Sequence, residues 1–178
     1  MRFLDGGIEV MIVIKPITPA NVSTFKAVRL RALQDTPGAF GSTYAHESQL
    51  SDADWLKRAE RWNGDQGAGF LAMDGDVACG IAGCFIDEKD KATALLISMW
   101  TAPTHRQRGV GRLLVNEVLR WAAERNVTVL KLLVTCHNQP AIRFYEQLGF
   151  TRTGRTEPYP NDPVVIEYEM ARAVLAAG

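Results

Sequence analysis

Two short stretches of this 178-residue chain carry residue types that could do chemistry. The first is Pro103-Thr104-His105-Arg106-Gln107-Arg108-Gly109-Val110-Gly111-Arg112. A helix starting here points unpaired backbone N–H groups at one spot, and its dipole adds partial positive charge. Gly109 and Gly111 carry no Cβ, so an anion can approach the backbone. Arg106, Arg108 and Arg112 supply mobile positive charge. The stretch reads as a pyrophosphate cradle, against the plainer reading of a tight strand-to-helix turn. It lacks the Gly-Lys-Ser/Thr ending of a mononucleotide P-loop, and the third glycine of a dinucleotide fingerprint would fall at Leu114. The second stretch is Asn138–Phe150, which holds Tyr145. On periodicity alone Tyr145 is a core residue, sharing a helix face with Ala141, Phe144 and Leu148. Asn138 has the type and place of a helix N-cap.

These residues need elements to hold them. Residues 9–15 read as a first strand, and Thr18-Pro19 opens a helix carrying Val22, Phe25, Val28, Leu30 and Leu33. Arg29 and Arg31 are polar positions on that helix, which stops near Thr36-Pro37-Gly38. Residues 38–50 read as a polar loop, and Ser51 caps a short helix through Trp55 and Trp62. Ala68–Met73 and Val77–Ile86 form a hairpin around Asp74-Gly75-Asp76. Ala92–Thr101 is a nearly unbroken apolar run, as expected of a strand covered on both faces. Gly109–Arg125 is helical, Thr128–Thr135 a strand, and Pro140–Leu148 a helix closed by Gly149. Phe150–Thr156 and Val164–Met170 are the last strands, with Pro158, Pro160 and Pro163 in their connection. The predicted order is β-α-α-β-β-β-α-β-α-β-β. Its middle is a right-handed β-α-β unit with parallel strands, and ligands are expected beyond their carboxyl ends, near Thr101–Gly111 and Thr135–Asn138.

Twenty acidic and twenty basic residues balance, so nothing global asks for a nucleic-acid partner. No apolar run has the length of a membrane span and the start has no apolar signal region, so a cytoplasmic location is expected. Residues 1–9 read as a loose tail with Met11 as an alternative start, and residues 10–178 as one domain. Cys79, Cys84 and Cys136 are odd in number and irregular in spacing, so no disulfide framework is read. His46, His105 and His137 show no metal-ligand spacing, and no metal site is expected.

Arg106–Gly111 resembles the Arg/Gln-x-x-Gly-x-Gly/Ala pattern of the GNAT superfamily of acetyltransferases. Asn138–Phe150 is similar to its Asn-x-x-Ala-x-x-x-Tyr-x-x-x-Gly-Phe pattern, in the right order and spacing, and the likeness covers about residues 10–170. The resemblance implies a single α/β (α+β) domain with a mixed, mostly antiparallel sheet and a central splayed parallel pair. It implies acetyl-CoA as cosubstrate, with no metal. Backbone N–H groups of Gln107, Arg108, Gly109, Val110, Gly111 and Arg112 would bind its pyrophosphate, beside Arg106. Its pantetheine arm would pair with Met99, Trp100 and Thr101, and Asn138 would hydrogen-bond in the same cleft. Tyr145 would reach the sulfur and protonate it on departure.

Acetyl transfer to an amine needs the free base, and an alkyl ammonium has a pKa of about 10. The strand before the cradle, Ala94-Leu95-Leu96-Ile97-Ser98-Met99, holds no carboxylate where many members of the family have one. Glu47 is the leading candidate base, with His137, Glu157 or a water chain as alternatives. The expected acceptor is the primary amine of a small molecule. A protein N-terminus or lysine is the second reading, and a non-catalytic acetyl-CoA sensor the third. A homodimer is expected from the same resemblance.

Overall fold

The computed structural model describes residues 11–176 and residue 178. The expected tail, residues 1–9, lies outside them. The strands are β1 (Ile12–Pro16), β2 (Gly67–Asp74), β3 (Val77–Ile86), β4 (Thr93–Thr101), β5 (Val129–Thr135), β6 (Thr151–Tyr159) and β7 (Asp162–Ala173). The helices are α1 (Val22–Asp35), α2 (Tyr44–Glu47), α3 (Asp52–Arg61), α4 (Val110–Glu124) and α5 (Gln139–Gln147). The strands form one sheet in the order β1-β2-β3-β4-β5-β7-β6, antiparallel everywhere except between β4 and β5.

Helices cover both faces of the first half of the sheet. A Cβ on Gly80 would meet Leu114 and Val110 of α4, whereas a Cβ on Gly83 would meet Trp62, just after α3. Three residues apart on one strand, they face opposite ways. Hence β2 and β3 are buried nearly end to end and form the centre of the core with Phe25, Trp55 and Leu114. Two-sided burial was expected of the run in β4, but Leu95 is 37% exposed and Ile97 to Met99 are only partly covered. For Ile97 to Met99 the reason is topological, because there β4 borders a gap.

That gap is the central feature. The parallel strands pair only at Thr93↔Val129, Ala94↔Leu130 and Leu95↔Lys131. Beyond Leu95 they part, and β4 continues against β3 alone. Its register with β3 slips between Gly83↔Ile97 and Ile81↔Trp100, where Ala82 alone faces Ser98 and Met99, so β4 holds one extra residue. Ser98 sits at this bulge with φ of 56°.

Two local expectations are corrected. Residues 44–47 form a helical turn, α2, capped by the Thr43 hydroxyl, within the stretch read as loop; four residues are too few to show a helical period. Pro158 lies in β6 and Pro163 in β7, and the connection is only Pro160-Asn161. Proline is tolerated there because β6 is the sheet's edge strand, where the ladder is irregular between Pro158 and Tyr159.

Candidate functional site

The gap opens into a cleft of about 790 Å³ lined from β4, α4 and α5. Its floor includes Met99, Trp100 and Thr101 at the end of β4. From the loop and the first turn of α4 come Arg106, Gln107, Gly109, Val110, Gly111 and Arg112. From the α5 side come Asn138 and Tyr145. Thus the structure gathers eleven of the residues singled out in the sequence around one cavity. Arg108 and Glu47 are not among its lining residues.

The first turn of α4 has no side-chain cap. Its N-cap is Gly109, with φ of 80°, a left-handed conformation that glycine adopts without penalty. Gln107 just before it also has positive φ, 61°. The first helical bond at this end is Leu113 N–H to the Gly109 carbonyl, so the preceding N–H groups face the cleft without helical partners. Gly111 is glycine for another reason than the sequence implied. A Cβ there would sit 2.8 Å from the Phe144 ring and 3.3 Å from the Met99 methyl. Its smallness lets α4 and α5 approach each other at the cleft.

The three arginines differ in role. Arg106 is anchored: its guanidinium pairs with Asp35, and its Nε donates to the Thr101 carbonyl at 3.1 Å. Asp35 also accepts from Trp100 Nε1 at 2.9 Å and from the Thr36 hydroxyl at 2.7 Å. Burial pushes the Asp35 carboxyl up, but these donors outweigh it and hold the group below its usual range. Arg108 and Arg112 make no salt bridge among the described residues, so they remain the mobile charges.

Tyr145 is 8% exposed, packed beside Phe144 and Phe150 on the wall of the cleft. Burial pushes the phenol well above its ordinary value, so it keeps its proton across the physiological range. Both readings of Tyr145 therefore meet, a core ring and a protonated hydroxyl at the cleft. Asn138 is the N-cap of α5, its side-chain oxygen accepting from Ala141 N–H at 3.2 Å. That leaves its amide nitrogen for the cleft.

Glu47 is 1% exposed and occupied on both carboxylate oxygens. Arg29 donates to it twice, at 3.0 and 2.8 Å, and Arg58 forms an ion pair with it at 3.0 Å. Burial pushes this carboxyl up, yet the two guanidinium groups win and its pKa is lowered. A base for an ammonium needs the opposite shift and a free lone pair. As placed here Glu47 has neither, since both its oxygens are held by guanidinium groups. A different carboxylate has the right shift. Glu167 of β7 stands opposite Glu157 of β6 and in register with Thr135, the last residue of β5. Burial and the Glu157 charge push Glu167 up.

The rim opposite the cradle is tied down. Tyr159 donates to the Phe40 carbonyl at 2.6 Å, and Asn161 donates to the same carbonyl at 2.9 Å. The β6–β7 turn thereby clasps the segment after α1, which contributes Thr36 and Ala39 to the cleft. Neither Cys79 nor Cys84 offers a nucleophile: both are buried, which raises the Cys79 thiol and pushes Cys84 up to about 12.

The acetyltransferase (GNAT) family model matches residues 30–150. This chain belongs to the GNAT acetyltransferase family. The GNAT match spans both cleft-forming stretches, the end of α1, and α2 and α3. Among curated proteins, streptothricin acetyltransferase of Streptomyces lavendulae is 37% identical over 84 residues, 47% of this chain and 43% of its own length. Streptothricin acetyltransferase of Escherichia coli is 32% identical over 91 residues, 46% of this chain and 51% of its own. The chain spans about half the length of the curated relatives it matches. Among solved structures, a GNAT-family acetyltransferase from Streptococcus pneumoniae superposes with a TM-score of 0.77 at 20% identity, covering 93% of this chain and all, 100%, of that one. The yncA protein of Salmonella typhimurium, solved with its cofactor acetyl-CoA, gives 0.75 at 17% identity over 94% and 96% of the two chains. At such identities these structures establish the GNAT fold. Among the described residues there is no cluster able to hold a metal ion, and no helix is long and apolar enough to cross a membrane.

Sequence reasoning missed Asp35, Ser98, Tyr159, Asn161 and the pairing of Arg29 with Glu47. Each makes its contact far along the chain, and only Asp35, just before the Thr36-Pro37-Gly38 stop, lay beside a recognisable signal.

Proposed function

We propose that this protein transfers an acetyl group from acetyl-CoA to the primary amine of a small molecule, by direct attack within a ternary complex. The observation that carries the reading is the uncapped first turn of α4 facing a cleft between parted parallel strands, with Tyr145 on its wall. The residues present fit acetyl-CoA. Free N–H groups from Gln107 to Arg112 suit its pyrophosphate, with Arg108 and Arg112 as counter-charge. Trp100 and Thr101 end a strand whose β5-facing edge is unpaired, which suits an extended amide-bearing arm. The thioester supplies an activated acyl group.

The chain's own residues would do the rest. Backbone N–H groups past the bulge of β4 donate to the charge developing on the acyl oxygen. The Tyr145 hydroxyl donates to the departing sulfur, and the proton lost by the attacking nitrogen restores the balance, giving amide and free thiol. Because burial keeps Tyr145 protonated, the donor form is always present. Glu167, in register with Thr135 at the end of β5 and outside the cleft lining, is the candidate to take the ammonium proton through water, its affinity for protons being raised by burial and by Glu157. The small-molecule acceptor is supported by two relatives that carry the name streptothricin acetyltransferase.

The test is thiol release from acetyl-CoA across a panel of primary amines that includes streptothricin. Release that saturates in both acetyl-CoA and one amine is expected. Acetyl-CoA binding without amine-dependent release for any member of the panel would count against the transfer reading.

A further inference from the structure

We propose that Arg29 is a positioning residue: gripped by Glu47, it holds the Ser98 bulge of β4 and so aims the end of that strand into the cleft. The inference rests on the acetyl-transfer reading for its consequence, while its geometry stands apart from it. The argument begins with the strand. To leave β5, β4 takes one extra residue between Ile97 and Trp100, and Ser98 adopts a φ of 56°. A residue with a Cβ rarely takes that conformation, and it persists only where the surroundings hold it.

What surrounds it is a guanidinium engaged through all three of its nitrogens. Arg29 of α1 donates Nη1 to Ser98 Oγ at 3.1 Å, and Nε and Nη2 to the two oxygens of Glu47. The plane lies over the Phe40 ring, 4.9 Å from its centroid. Arg58 closes the far side of Glu47. Arginine's rigid fork fixes direction as well as charge. Among the described residues, Arg29 (7% exposed) and Glu47 are the buried charged side chains. A buried ion pair is seldom more stabilising than well-packed apolar groups of the same volume, and its best-attested use is to fix one arrangement among several. Here the arrangement fixed is the bulge, from which the strand's last N–H groups are presented. The lowered pKa of Glu47 keeps the grip charged through the neutral range. The same brace joins α1, α2 and the Phe40 segment to β4, so the acceptor side and the acyl side of the cleft share one joint.

Amide hydrogen exchange on the intact protein tests this without an acceptor. In Arg29→Lys, exchange at Trp100, which pairs with Ile81, and at Ala102, whose N–H donates to the Cys79 carbonyl at 2.8 Å, should rise about tenfold or more while the β2–β3 pairs keep their rates. Acetyl-CoA affinity should weaken in parallel. Ser98→Gly relieves the strain, so in that background Arg29→Lys should change the same amides less than about twofold, a coupling that a merely structural ion pair would not show. Equal acceleration of all amides, or an undiminished effect in the glycine background, overturns the proposal. Should Arg29→Lys fail to fold, Ser98→Ala removes only the Oγ acceptor. It should reproduce the local rise, and unchanged exchange there overturns the proposal equally. A wild-type protein that binds no acetyl-CoA would sink the transfer reading while leaving the exchange cycle to decide the brace.

Discussion

The two walls of the cleft are built in opposite ways. The cofactor wall comes from contiguous chain: the turn before α4 and the start of α5 carry their functional groups within a few residues of one another. Its α4 end is left unsatisfied, an uncapped turn beneath the mobile Arg108 and Arg112. The other side, around α1, α2 and the β6–β7 turn, is assembled across the chain and satisfied internally. Arg29 meets Glu47 18 positions away and Ser98 69 away, and Tyr159 reaches Phe40 across 119. Open donors wait for a ligand on one side, while closed pairs set shape on the other. Substitutions on the cofactor wall should therefore act on binding and rate, and those in the closed pairs on stability and geometry.

The largest effect is expected at Tyr145. Tyr145→Phe keeps the ring against Phe144 and Phe150 but removes the donor. Loss of a general acid costs about 10²–10⁴ in rate, roughly 3–5 kcal/mol of barrier. The melting temperature and acetyl-CoA affinity should barely move. Because burial raises the phenol above its ordinary value of 10.0, the wild-type kcat profile should show no fall from this group below that pH. A kcat within a few-fold of wild type in the variant would make Tyr145 a packing residue.

Gly111→Asp comes next. Its Cβ would press on Phe144 and Met99, and its carboxylate would add negative charge to a site read as an anion cradle. Acetyl-CoA should bind at least about 100-fold more weakly by calorimetry, roughly 3 kcal/mol. Wild-type affinity in a folded variant would remove the cradle from α4.

The two carboxylates sharpen the contrast. Glu167→Gln should lower turnover by about 10², the low end for a lost general base, and flatten the acidic limb of the pH profile. Glu47→Gln should instead act chiefly on stability, costing about 3–5 kcal/mol as one partner of a buried pair is lost. The sign follows from the direction of the shift. Glu47 has a folded pKa below its ordinary value of 4.5, so its contribution is present above that pH and lost as pH falls through the folded value. Wild type should thus lose stability on acidification below about 4.5 by a component that Glu47→Gln lacks. Parallel stability curves for the two proteins would mean the pair contributes nothing.

The contrast between the walls also explains what the sequence could reveal. The splayed β-α-β unit was legible because apolar period, a glycine-bearing turn and a ligand site at the strand ends all fall within residues 92–138. The cleft residues from Met99 to Tyr145 were legible for the same reason. Glu47 was visible as a carboxylate, but its role depends on Arg29 and Arg58, whose approach is a matter of tertiary packing. The same holds for Ser98, an ordinary strand residue until the register slip gives it positive φ. The α2 turn and the Pro160-Asn161 hairpin were missed because four residues show no period and prolines at an edge strand mimic a loop.

The claim on which the rest depends is that the open end of α4 receives acetyl-CoA. Backbone amide NMR during a titration with acetyl-CoA tests it most directly. Shifts should concentrate at Gly109, Val110, Gly111 and Arg112, with Trp100 and Thr101 following. The Ala141 amide, already bonded to Asn138, should move little. Saturation with the shifts confined to the α4 turn and the end of β4 is the predicted result. No saturable shift at Gly109 to Arg112, or shifts centred elsewhere, would contradict the account.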